Sequence, residues 1–186
     1  ASPRLGWQWV YTTVDRALGR DRKGWFIGLD LSGAHESLGS DLTTLSAFEQ
    51  LKFFVPFHNK KFNWAQNWRF GVVDARNDEV PLADRLRAGG SYSVRGYPTN
   101  SLGPQDADGE ALGGEVQFIV NQELQGTISR SFAGIVFFDV GNIWESLEKV
   151  DTDLATSVGL GVRYLSPVGP LRLDFAWPLN RRPTDP

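Results

Sequence analysis

The chain has 186 residues, 41% of them hydrophobic, and a net charge of −3. That fits one domain of ordinary composition and gives no concentrated basic face, which sets nucleic acid aside as a partner. Cysteine is absent, so disulfide and thiolate chemistry are excluded, and no run of about 18 apolar residues offers a transmembrane helix, a test that is blind to β-barrels.

The first residues, Ala1, Ser2 and Pro3, suit a cleaved leader or a start inside a longer chain. From there the dominant signal is alternation with period two. Leu5, Trp7, Trp9 and Tyr11 oppose Gly6, Gln8, Val10 and Thr12. Trp25, Ile27, Leu29 and Leu31 oppose Phe26, Gly28, Asp30 and Ser32. A third strand follows over residues 45–55, where Pro56 is expected to end it. In the fourth, Phe62, Trp64, Trp68, Phe70 and Val72 oppose Asn63, Ala65, Asn67, Arg69 and Gly71.

A segment over about residues 75–113 then lacks any strand pattern and is rich in turn formers, longer than most loops of a compact domain. Alternation resumes with Val116, Phe118 and Val120 against Glu115, Gln117, Asn121 and Glu123. Val136, Phe138 and Val140 then oppose Ile135, Phe137, Asp139 and Gly141. Next, Val158, Leu160, Val162 and Tyr164 oppose Ser157, Gly159, Gly161 and Arg163, and Leu171, Leu173, Phe175 and Trp177 oppose Arg172, Asp174 and Ala176. The reading is all-β and antiparallel: about eight strands, with a long loop between the fourth and fifth.

A soluble sandwich also alternates, so the character of the polar face decides. Here glycines sit among isolated charges and amides rather than the Lys, Glu and Thr of a water-facing sheet. That pattern fits the crowded interior of a transmembrane barrel whose apolar face meets lipid. Tyr11, Trp25, Trp144, Tyr164 and Trp177, near strand ends, are expected in interfacial girdles. An eight-stranded barrel has room inside only for side chains. The long loop must therefore lie outside, or the lumen must be larger than this chain alone builds.

Within the loop, Arg95 stands in the run Val94, Arg95, Gly96, Tyr97. Asp139 is an interior carboxylate that needs a partner, and arginine can both grip a carboxylate bidentately and stack on a ring. From the residues alone two arrangements stand open: Arg95 reaches Asp139, or Arg95 is solvated and Asp139 pairs with Arg163 or Arg172. Arg69, Glu115, Arg163, Arg172 and Asp174 are expected to form a lumen ion network, with Asp30 and Glu123 as further interior carboxylates.

"GGSYSVRGY", "FFDVGNIW" and "GLGVRYLSPVGPLRLDFAWPL", in that order, resemble the barrel of the BamA and TamA type of outer-membrane assembly factors, in the C-terminal half of that barrel. "TTVDRALGRDRKGWF" is similar to the family's turn ahead of a strand, so the likeness covers nearly the whole chain. The resemblance implies that Val94, Arg95, Gly96 and Tyr97 belong to an extracellular loop folded into the lumen, fixed at Phe137, Asp139 and Gly141. It also implies an outer-membrane setting in a diderm bacterium, membrane lipid as solvent and outer-membrane proteins as clients, inserted or translocated without bond chemistry. Two family features have no counterpart here: the peptide-binding periplasmic repeats, and a barrel of twice as many strands. Counting strand directions from an extracellular loop puts both chain ends outside, so an interior section of a larger barrel is expected. A homodimer, or other barrel subunits, would complete it.

Catalytic signatures are missing. "GGSYSVRG" is glycine-rich but does not link a strand to a helix, so it is no phosphate loop. His35 and His58 fall in separate loops without metal spacing. No cofactor, metal or enzymatic activity is expected. The alternative to an assembly factor is a non-catalytic membrane anchor or small passive pore that lost its recruiting domains.

Overall fold

The computed structural model describes residues 3–17, 20–40, 42–76, 79–166 and 169–180. Their strands are β1 (Leu5–Thr12), β2 (Asp15–Ala17), β3 (Arg20–Ala34), β4 (Thr44–Phe57), β5 (Phe62–Ala75), β6 (Val116–Thr127), β7 (Phe132–Trp144), β8 (Ala155–Ser166) and β9 (Gly169–Pro178). All pair antiparallel in one sheet ordered β1-β3-β4-β5-β6-β7-β8-β9, with short β2 folded back on β3. The long strands are those that the alternation marks. The ladder runs from β1 to β9, and these two edges do not pair with each other.

Short turns join β4 to β5 and β6 to β7 at one end of the sheet. Between β4 and β5, Phe57 pairs with Phe62 across a turn in which His58, Asn59 and Lys60 take φ of 48°, 54° and 64°. Pro56 does not end β4. It pairs with Asn63, two residues beyond the last β3 contact, Gly24 with Phe54, where one flank of β4 no longer needs a ladder hydrogen bond.

Burial is inverted relative to a soluble sheet. Val136 is 61% exposed and Leu173 59%, whereas Asp139 and Ser157 are fully buried. Water would punish that arrangement, and lipid on the apolar face rewards it. Even the outward polar side chains find partners: the Trp64 indole donates to Gln122 at 2.9 Å, and the Trp68 indole to Gln66 at 3.2 Å. Trp144 departs from the girdle expectation. It is buried, and its indole donates to Asp151 at 2.9 Å, because the 145–154 connection folds over it.

The hydrophobic core lies between the long loop and the inner wall. From the loop come Val80, Leu86, Ala88, Val94, Tyr97 and Leu102; from the wall come Val73, Ile119, Ile143 and Ala155. Of the two placements open to the loop, the inner one holds, since its apolar residues share this core with the wall.

Glycines on β8 make room for bulk on β7. A Cβ at Gly159 would collide with the Phe137 ring and the Phe175 carbonyl, whereas one at Gly134 would meet only Ile128, at 3.5 Å. Gly159→Val is therefore expected to destabilise the sheet by about 1–3 kcal/mol through overpacking, and Gly134→Ala to be near neutral. Urea unfolding in detergent, followed by tryptophan fluorescence, measures both, and equal midpoints would refute the packing argument.

Candidate functional site

Cross-strand register builds a shelf on the inner wall. Asn121 of β6 faces Asp139 of β7, which faces Ser157 of β8; one rung on, Glu123 faces Phe137, which faces Gly159. With no side chain at Gly159, the Phe137 ring can lie across that position. Gly141 allows a similar approach, since a Cβ there would press on the Phe118 carbonyl at 2.5 Å.

The loop arrives as a compact turn. The Gly90 N–H donates to the Tyr97 carbonyl at 3.0 Å, and the Gly89 N–H to Ser93 Oγ at 2.5 Å. Gly96 has φ 91°, a backbone conformation that side chains resist, and a Cβ there would come within 3.4 Å of Ala176 and Pro178 of β9.

Arg95 leaves this turn and seats on the shelf. Its Nε donates to Asp139 Oδ2 at 2.6 Å, its Nη2 to Oδ1 at 2.8 Å, and its own backbone N–H to Oδ2 at 3.1 Å. Nη1 donates to Glu123 at 2.7 Å and Asp174 at 3.3 Å. The guanidinium carbon sits 3.5 Å from the Phe137 ring centroid, a stacked cation–π contact. Burial alone would lower the Arg95 pKa, but the hydrogen bond and charge of Asp139 and those of Glu123 reverse this and hold the cation above its ordinary range.

Of the expected ion network, Arg163, Arg172 and Asp174 come together here. Arg163 pairs with Asp174 and reaches Glu123 at 3.5 Å; Arg172 reaches Asp174 at 3.3 Å and donates to the Ser91 carbonyl of the loop at 2.5 Å. Two members stand apart. Glu115 precedes β6 in line with its inner face but lies near the loop rim, roughly 20 Å from Asn121 at about 3.3 Å per residue. There burial and the Asp74 carboxylate push its pKa up, against Arg85. Arg69 donates to Asn121 Oδ1 at 3.2 Å and, among the described residues, has no carboxylate within ion-pair distance.

Several contributors carry no motif. Asn121 spends one side-chain N–H on the Ser93 carbonyl at 2.6 Å and the other on Asp139 at 2.9 Å, so it grips loop and wall together. Behind it, Gln50 donates to Asn67 at 2.8 Å and Asn67 to Asn121 at 3.1 Å, a row of amides leading to Asp139. Asn180 accepts from the Tyr97 hydroxyl at 3.0 Å and from the Thr156 hydroxyl at 2.7 Å, tying the loop to the end of β9. Period two places Asn121 on the inner face, but only the register shows what it touches.

Among the described residues there is no group of His, Cys, Asp or Glu arranged for a metal. His35 accepts the Ser37 N–H at 3.0 Å, and His58 lies in the β4–β5 turn. Each cluster carboxylate is committed to a guanidinium, so the arrangement holds a loop rather than moving a proton. Asp139→Asn, which keeps the shape and removes the charge, should weaken loop docking by about 3–5 kcal/mol, the cost of breaking a buried pair. Limited proteolysis reads it as faster cleavage within residues 76–115, and an unchanged rate would refute it.

The Omp85 superfamily domain model matches residues 2–186. The outer membrane protein assembly factor BamA of Neisseria meningitidis is 28% identical over 95% of this chain and 26% of its own length. That of Nitratidesulfovibrio vulgaris is 33% identical over 59% of this chain and 14% of its own length, so the chain spans about a quarter or less of these relatives. The crystal structure of BamA from Haemophilus ducreyi lacking POTRA domains 1-3 superposes with a TM-score of 0.87 at 20% identity, over 98% of this chain and 40% of that one, which is a likeness of fold. The sheet with its inverted burial, the loop on the inner wall and a family match over nearly every residue lead to one conclusion: the chain belongs to the Omp85 superfamily.

Proposed function

We propose that this chain forms a section of an outer-membrane barrel that helps other outer-membrane proteins to insert or cross, and that Arg95 and Asp139 fix the loop that braces its wall. The observation carrying this reading is the buried bidentate pair, stacked on Phe137, that locks an irregular segment against the inner face of the sheet. Its setting is the outer membrane. The curated relatives are named as assembly factors, and bringing that role to this chain rests on the shared family and fold.

No bond chemistry is needed. In lipid every backbone N–H and C=O requires a partner, and β1 and β9 each present an edge that the described sheet leaves unpaired. Further strands, from a second copy or other barrel subunits, complete the wall, and a seam between such strands is where a client strand can add by β-augmentation.

Arg95→Ala should release the loop and slow client folding. The measurement is the folding rate of an added outer-membrane barrel client in liposomes containing wild type or variant, with loop proteolysis in parallel. Acceleration by wild type and its loss in Arg95→Ala support the reading. Conductance without acceleration would assign the chain to a passive pore, and inertness would assign it to an anchor. Mass in detergent adds a separate check: closure by a second copy predicts twice the monomer mass, and a monomer would refute it.

A further inference from the structure

Among the described residues, Arg69 has no carboxylate within ion-pair distance. Arg69 projects from β5 beside the amide row, makes one hydrogen bond to Asn121, and has a buried Nε with no acceptor. Asp139, the carboxylate whose charge reaches it, is already bonded by Arg95 and Asn121. A half-buried guanidinium whose Nε is enclosed without an acceptor is costly, and an anion beside it offsets that cost.

Beside Arg69 runs a groove of about 480 Å³ on the inner wall beneath the loop. Its lining is cationic and rich in amides: Lys52, Arg69, Gln50, Asn67 and Gln125, with Tyr92 at one side. Cross-strand register puts Lys52 opposite Asn67 and Gln50 opposite Arg69, so the two cations stand diagonally across a square of side chains. Glu123 also borders the groove, but Arg95 and Arg163 bond it. Tyr92, 87% exposed, presents an aromatic ring to whatever enters.

We infer that this groove is a binding site for an acidic peptide segment, with Arg69 as its carboxylate anchor. Side-chain amides match the donors and acceptors of an extended backbone, and the volume exceeds what a lone small anion would fill. A guanidinium presents the planar fork that a carboxylate fits. The inference rests on the groove and does not depend on the assembly role.

The test uses purified full chain in detergent and a fluorescent hexaglutamate peptide blocked at both ends, with binding read by anisotropy. Saturable binding is expected, weakened about tenfold by Arg69→Gln, as for the loss of one charge-assisted contact, and less by Arg69→Lys. Lys52→Gln should weaken it in the same direction, which keeps the test decisive if Arg69→Gln folds poorly. A blocked hexaglutamine peptide should compete weakly. Equal binding by the Arg69→Gln and Lys52→Gln proteins would overturn the proposal, as would displacement by succinate or inorganic phosphate at concentrations matching the peptide's, which would mark a site for small anions.

Discussion

A carboxylate enclosed in a sheet whose other face is built for lipid is shut off from solvent, so burying Asp139 is costly unless the protein brings it a cation. Nothing on β7 itself can do this, because neighbours on the same face are Phe137 and Gly141. The cation comes from the loop, and much of the local sequence follows from admitting it. Gly96 gives the backbone a left-handed turn behind Arg95, Gly159 lets Phe137 lie flat beneath the guanidinium, and Ser157 keeps the rung beside Asp139 small. Each of these is a local concession to a single buried charge.

The loop also repairs a deficit in the sheet. With its larger side chains turned outward, the wall has little apolar surface of its own to bury on the inner side. Val73, Ile119, Ile143 and Ala155 are the exceptions that meet the loop, which packs Val80, Leu86, Val94 and Leu102 into the same core. Arg95 and these residues are complementary: the ion pair fixes position and register, while apolar burial supplies the non-directional part of the stabilisation.

Period two was enough to assign faces, because a strand residue has only two choices and the apolar set was nearly unbroken. It could not assign heights. Arg163, Asp174, Glu115 and Arg69 all share the inner face by period two, yet only the first two join the ion pairs around Arg95, since the stagger of neighbouring strands decides which rungs coincide. Asn121 escaped notice for the same reason, an ordinary amide until the register sets it between Ser93 and Asp139. Trp144 departs from the girdle expectation because a girdle tryptophan and one covered by the next connection look alike in a strand, and the Asp151 partner lies beyond the strand's end. Pro56 misled because the cost of proline depends on whether its flank is paired, and that is settled by the length of the strand next door.

The distribution of these contacts makes the wall uneven. One guanidinium touches β6 through Glu123, β7 through Asp139 and β9 through Asp174, and Tyr97 adds the Thr156 carbonyl of β8. Sliding any of these strands against its neighbour would break a buried, charge-assisted bond, so β6 to β9 are braced from within as a unit. Among the described residues, the core that the loop shares with the wall draws on β4, β5, β6, β7 and β8, and on none of β1 to β3. Those first strands are held chiefly by their own ladder and by the Arg4 and Asp84 ion pair at the rim. A force that distorts this sheet therefore meets least resistance at β1 to β3, and deformation concentrates there while the clamped strands keep their register.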